Sequence, residues 1–471
     1  MDAPLRGYRE TSLHRKNTDS WGVKSNVKGG SGGIWISVIL IPFLCRDSYP
    51  ALPPVGQETS LEQLLSQLDD ESPVVRDAAS ATLKQRGKSV LPILQERAAQ
   101  GTPETQARIA ELITRIKRTC AGNVGIEGGD EGRRSIYAGP RLSKSPEVLW
   151  SFRTDNPIYA SLVIADDDLY FGDAPKGTLS IGGKYSFYCL DRNSGRLKWK
   201  VERGEAPHFS PPVVSKDLVC VGNSAGAAAY WRKTGELHWK FDAKDFGLSS
   251  PIISEGLVLF CGSSHVYAID LDTGRERWNF KIGKYQPLSP AIHAHRVIVG
   301  SRDRYIHAID LETGKAIWTF ETDNWITSSP SLSEGSVYVA CQDFLYAVDE
   351  RTGVERWRFK IDGSSVLATP TIAAGMLYAT RHDNALIAVD ATTGEERWQF
   401  KTETLLRSSP SYVDGKLYLG SLRGVIYVLD ALTGKEEAHF ESKGRLSTSP
   451  VLTNGVLYYS DNTGPTIFAL K

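Results

Sequence analysis

One phrase returns down the C-terminal two-thirds of this chain, and its period limits the fold more than any other feature. Ala-Ile-Asp-Leu-Asp-Thr-Gly-Arg-Glu-Arg-Trp (268–278) recurs as Ala-Ile-Asp-Leu-Glu-Thr-Gly-Lys-Ala-Ile-Trp (308–318), and 347–357 and 388–398 keep the pattern. Tryptophan stands at 150, 199, 239, 278, 318, 357 and 398, with Ala438 at the next equivalent place. The successive separations are 49, 40, 39, 40, 39, 41 and 40 residues. Between the tryptophans lie alternating apolar and polar runs, enough for four strands per copy. A fixed period of about forty residues with four strands each marks propeller blades, which bury their faces only against neighbouring copies.

The phrase also explains its own chemistry. Thr-Gly makes a tight corner because Gly tolerates the positive φ that such a corner demands. The Asp before it can accept hydrogen bonds from backbone N–H groups of the turn. Trp then offers a wide flat surface of about 150–250 Å² to bury between adjacent blades.

Counting closes the ring. Strand sets begin near Ser161, Ser210, Ser250, Ser289, Ser329, Thr369, Ser409 and Ser449, which makes eight. The last set stops at Ala469-Leu470-Lys471, where its outer strand would begin, and Val148–Phe152 supplies an unpartnered strand at the start. Pairing the two leaves no open sheet edge. Seven blades with a stray strand is the competing count.

Lys plus Arg and Asp plus Glu are both 55, so no global field attracts nucleic acid or an anionic membrane surface. Six cysteines (Cys45, Cys120, Cys189, Cys220, Cys261, Cys341) include no CxxC pair and no adjacent pair. A zinc site needs clustered ligands. The four cysteines within strand patterns are expected to be buried thiols packing as small hydrophobes.

Upstream the chain changes character. Residues 1–33 are Gly- and Ser-rich and basic, as in a disordered segment. The apolar run 34–44 and its sequel to 58 resemble a secretory signal, the run being short for a membrane span. No small-x-small cleavage site follows, and Pro42-Phe43-Leu44 lacks the small residue expected before a lipidated Cys45; a short membrane-associated anchor or a buried segment is the alternative. Residues 59–119 read as a helical module, with Leu61, Leu64, Leu65 and Leu68 at helical spacing and breaks at Pro73 and Gly101-Thr102-Pro103. Residues 120–146 read as a linker and 147–471 as the propeller.

Two resemblances follow from these residues. Leu-Asp-Asp-Glu-Ser-Pro-Val-Val-Arg-Asp-Ala-Ala (68–79) resembles a HEAT-type repeat, although two repeats fall short of the three a solenoid needs. The Ala-x-Asp-x-x-Thr-Gly-x-x-x-Trp phrase resembles the repeat of the pyrroloquinoline quinone (PQQ) propeller family. That family includes quinoprotein dehydrogenases and the non-enzymatic propeller lipoprotein of the outer-membrane β-barrel assembly machinery. The resemblance implies a mainly β, eight-bladed propeller and not one chemistry.

A quinoprotein dehydrogenase needs a quinone pocket, a Ca²⁺ and an Asp base, and its alcohol-oxidising members tend to carry a vicinal disulfide. No Cys-Cys occurs here, and blade spacing leaves room for one insert alone, Ala174 to Gly183, with Lys176 as its only charge. Tyr159, His208, Phe209, Phe246, Tyr285, Trp325, Arg407 and Arg445 should gather near one channel mouth, as packing or as a ligand floor. Arg302-Asp303-Arg304 and Arg381-His382-Asp383 read as solvated hairpin turns, and His208, His265, His293 and His295 have no metal-ligand spacing. No residue is therefore assigned as catalytic, cofactor-binding or metal-binding. The expected function is a non-catalytic, exported, periplasmic or envelope-associated scaffold with a protein partner, in envelope assembly. A minimal PQQ-dependent quinoprotein dehydrogenase, with PQQ and calcium as cofactors, is the alternative.

Overall fold

The computed structural model describes residues 61–70, 75–76, 79–80, 82–83, 90–97, 102, 105–106, 108–110, 112–113 and 135–471. The last stretch omits 138, 144–145, 175–184, 204–209, 224–225, 244, 246–248, 284–287, 362–365, 367, 443 and 447. The basic segment, the signal-like run and Cys45 lie outside the described residues. So does most of the HEAT-like phrase beyond Asp70. Within 61–113, helices Leu61–Gln67 and Leu91–Arg97 are present. Leu64, Leu65, Leu68, Leu83, Leu94 and Ile109 share one small buried core there.

From Val163 the chain lays down seven four-stranded antiparallel sheets in succession, and an eighth is built from both ends of the propeller. Blade 6 shows the plan: Thr371–Ala373, Met376–Thr380, Ala385–Asp390 and Glu396–Lys401, hydrogen-bonded in chain order. First strands of successive blades neighbour one another, so they line the channel and the fourth strands form the rim. In blade 6 the second and third strands are almost wholly buried, whereas the fourth alternates exposed and half-buried residues. Cys189, Cys220, Cys261 and Cys341 are buried free thiols.

Each blade ends with a small bulge. Ala388 pairs with Trp398, but the next residue, Val389, pairs with Glu396. The same slip occurs at Ala268/Ile269, Ala308/Ile309 and Ala347/Val348. A small residue thus stands opposite each Trp, and the bulge turns the ring toward the following blade.

That ring lands on the next blade's Thr-Gly corner. Gly434 has φ 70°, and a Cβ there would lie 2.5 Å from the Trp398 ring. Gly394 meets Trp357, Gly353 meets Trp318 and Gly314 meets Trp278 in the same way. Glycine is needed here twice over, for its left-handed backbone and for the close approach. The Trp398 Nε1–H then donates to Ala431 O at 3.2 Å and the Trp357 Nε1–H to Ala391 O at 3.0 Å.

Blade 8 holds Val451–Thr453, Val456–Asp461 and Thr466–Leu470, and its outer strand is Val148–Arg153. Trp150 pairs with Ala469 and Phe152 with Ile467. Trp150 donates to Arg192 O at 2.9 Å and covers Gly195 of blade 1 (163–203), which locks the last blade to the first. Eight sheets settle the count against seven blades.

Candidate functional site

The antiparallel order gives the ring two unlike faces. One carries the Thr-Gly corners and the turns between first and second strands; it is called here the corner face. The other carries the hairpins between second and third strands and the connections from blade to blade, the connection face.

The corners are self-contained. Asp270 Oδ1 accepts from Thr273 N–H and Oγ1–H at 3.0 and 2.7 Å, and Asp310 and Asp430 repeat the pair with Thr313 and Thr433. The Thr273 and Thr313 hydrogen bonds hold the carboxyls of Asp270 and Asp310 below the usual carboxylate range. Arg397 holds Asp390 at about 2, and Lys416 does the same for Asp430. These carboxylates are structural caps, each bound through Oδ1 within its own turn, and Asp390 and Asp430 are bound through Oδ2 to a cation on a neighbouring strand.

On the connection face, the described members of the expected set stand open to solvent. Trp325 is 56% exposed, Tyr159 is 38% exposed, and Arg407 and Arg445 are exposed. Their neighbours Ile326, Leu406 and Leu446 point inward and are buried. The backbone explains the alternation, because each connection is stitched to its own blade: Gln342 N–H donates to Trp325 O and Asn462 N–H to Arg445 O, both at 3.1 Å. His208, Phe209, Phe246 and Tyr285, and most of the insert with Lys176, lie outside the described residues. Arg304 bonds Glu321, and Arg381 bonds Asp383. Burial would raise the Asp303 carboxyl, but the nearby His307 ring, the Tyr305 N–H and Ser301 hold it at about 2.

Blade 3 (252–281) brings Ser264, His265 and Asp245 together, a set that no sequence spacing announced. Ser264 Oγ lies 2.6 Å from Asp245 Oδ1, and His265 Nδ1 lies 2.9 Å from Asp245 Oδ2 and 3.0 Å from Ser264 Oγ. A nucleophilic relay needs the base to use one ring nitrogen for the acid and the other for the hydroxyl. Here both meet Nδ1, so the cluster fastens a turn and does not activate the serine.

The three of these histidines that are described, His265, His293 and His295, do not assemble. His293 bonds Glu350, His295 bonds Glu255, and both lie on the corner face, opposite His265. Among the described residues no three His, Cys, Asp or Glu side chains converge as a metal-ligand set. Between blades 4 (291–321) and 5 (331–360), His293, Arg296, Gly335, Glu350, Arg351 and Arg356 line an open depression of about 300 Å³. The buried Glu350 accepts from His293 at 2.7 Å, and Arg356 bonds Asp349 at 2.7 Å. The turn above it, Ala294-His295, holds φ of 45° and 60° without a glycine, a locally strained backbone. Its acids are already paired, so the depression offers a polar foothold and no reactive group.

A closed eight-bladed ring with interlocked Trp and Thr-Gly corners defines a PQQ-type propeller. The family model described as outer membrane protein assembly factor BamB matches residues 183–318, 262–344 and 302–469, more than half of the chain, and the chain belongs to that family. Among solved structures, BamB from Moraxella catarrhalis is similar with a TM-score of 0.57 at 21% identity, over 69% of this chain and 98% of that one. Quinohemoprotein alcohol dehydrogenase ADHIIG from Pseudomonas putida HK5 is similar with a TM-score of 0.63 at 15% identity, over 74% and 80%. At such identities both show the fold alone. The serine/threonine-protein kinase AfsK of Streptomyces griseus is 28% identical over 334 residues, 60% of this chain; the chain spans 40% of that kinase's length.

Proposed function

We propose that this chain is a non-catalytic propeller scaffold of the cell envelope, exported and bound to a protein partner in assembly. One observation carries the reading. Val148 and Leu149 of blade 8, Leu197 of blade 1, and Trp231 and Leu237 of blade 2 (213–242) are all exposed. Each lies at or beside the start of an outer strand, so three consecutive blades each expose at least one large apolar side chain at the corner-face end of the rim. A rigid rim with large exposed apolar side chains is a protein-docking surface. In blade 2, Trp231 takes the place of the corner Asp and its ring lies 4.3 Å from that of His238. The membership in the BamB-described family and the blade spacing of 39–41 residues after the first blade support the same reading.

Cross-linking in intact envelopes, followed by capture of the full chain, should recover a reproducible protein partner. The double variant Trp231→Asp, Leu237→Asp should lose it while melting at the parent temperature. Recovering none, or equal recovery by the variant, counts against the rim. Fractionation tests the export. Reconstitution with PQQ and Ca²⁺ should give no dye-linked oxidation of alcohols or sugars, and a turnover signal would replace this reading with the dehydrogenase.

A further inference from the structure

We propose that residues 135–137 and 139–143 form a clasp that closes the seam between blades 7 (411–441) and 8, in place of the Trp and Thr-Gly corner that close other seams. The need for one is visible in the fold. Blade 8 has no corner between its third and outer strands, because its outer strand is Val148–Arg153 and does not follow the third in the chain; Glu147 and Lys471 exchange backbone hydrogen bonds there at 2.9 and 3.0 Å. With no corner to cover, blade 7 carries Ala438 where the other blades carry Trp.

The clasp fills that place by three kinds of contact. Its first part is a strand. Ile136 forms a parallel bridge with Tyr412; Tyr412 N–H donates to Ser135 O and Tyr137 N–H to Tyr412 O, both at 3.0 Å. Tyr412 sits in the first strand of blade 7, whose other edge pairs with the second strand. Its remaining edge faces the channel, and the clasp pairs with it there.

The second part crosses the corner face over the turns of both blades. Arg141 Nε–H donates to Asp414 O and Oδ2, each at 2.9 Å. Gly139 holds φ 129°, and a Cβ on it would lie 2.7 Å from Asn454 N. Pro140 lies against Gly455 of blade 8.

The third part replaces the corner itself. At the seam between blades 6 and 7, Tyr378 O–H donates to Ala431 O at 3.0 Å, the carbonyl that Trp398 also uses. Tyr418, the equivalent tyrosine of blade 7, instead accepts from Leu142 N–H at 3.2 Å. The polarity of the bond is reversed because the clasp presents a donor where the corner presents an acceptor. Tyr137 and Leu142 are 7% and 9% exposed and share a core with Val413, Leu452, Leu457 and Leu470, drawn from both blades.

The expectation that the outer strand alone closes the ring is thereby extended: residues within the expected linker are part of the closure. Hydrogen–deuterium exchange of the full chain tests this. In Gly139→Val the added Cβ unseats the clasp, and peptides covering 411–418 and 451–457 should exchange about tenfold faster, while 252–261 in blade 3 stays as in the parent. Tyr418→Phe removes only a hydroxyl and should give about a threefold or greater rise over the same peptides, so it decides the matter if Gly139→Val does not fold. Parent-like exchange at 411–418 in a folded Gly139→Val, or in Tyr418→Phe where the first does not fold, overturns the clasp.

Discussion

The seams on either side of blade 7 do the same work with different parts. Toward blade 6, Tyr378 and the Trp398 ring converge on Ala431 O, with Gly434 beneath the ring. Toward blade 8, Ala438 replaces the Trp, and Leu142, from the far end of the propeller, meets Tyr418. The first seam is written into the repeat. The second exists only because the ring closes, and its parts come from residues 276 positions apart. A repeat protein can specify every neighbour contact but one by copying a sequence phrase; the last contact needs a separate solution.

Substitution at the two seams should separate them most sharply at the tryptophan. Trp398→Ala removes a large ring and leaves Gly434 facing a cavity, which should cost about 3 kcal/mol or more. Ala438→Ser should change stability by less than about 0.5 kcal/mol. Denaturant melts of the two variants measure the contrast, and equal midpoints would dissolve it.

A smaller effect is expected at the glycines. Gly434→Ala adds a Cβ 2.5 Å from the Trp398 ring at φ 70°, whereas Gly375→Ala, at φ 74°, meets nothing within 4 Å. Both carry backbone strain of about 1 kcal/mol, and only the first adds a clash, so it should lower the midpoint further. Equal shifts would mean that the ring moves aside freely.

The tyrosines refine the comparison. Tyr378→Phe leaves Ala431 O with its Trp398 bond, so the loss should be about 0.5–1 kcal/mol. Tyr418→Phe leaves the buried Leu142 N–H without a partner and should cost about 1–3 kcal/mol. An orphaned donor is worse than an acceptor that keeps one bond. Thermal melts that rank the pair in the other order would break the argument.

The weakest effect is on pH. Asp390 and Asp430 have carboxyls held at about 2, below their ordinary 3.8. A depressed carboxyl stabilises the fold above its unfolded value, and that contribution is lost as pH falls through the folded one. Stability should therefore decline from pH about 4 toward 2, and Asp430→Asn should flatten part of that slope. The groups are at the surface, so the effect is small and salt-sensitive.

Much of the fold was legible in residue order. The Trp period gives the number of blades, Thr-Gly the corners, and the orphan strand Val148–Phe152 the partner of Thr466–Leu470. The Asp of each phrase was legible as a cap, and Asp270 and Asp310 act as caps. The rim patch was not, because Leu197, Trp231 and Leu237 look like ordinary strand residues until the sheet order puts their side chains outside. The Ser264–His265–Asp245 cluster was equally hidden, since Asp245 precedes the blade that holds the other two.

Local chemistry that repeats every forty residues was thus determined by the sequence itself, because a corner, its cap and its covering ring are short-range choices made again in each copy. Only the tertiary structure decided where the copies stop repeating: which edge faces the channel, which apolar side chains stay exposed on the rim, and which distant segment fills the one seam without a corner. Those outcomes depend on the ring returning to its start, and no window of one blade contains both ends.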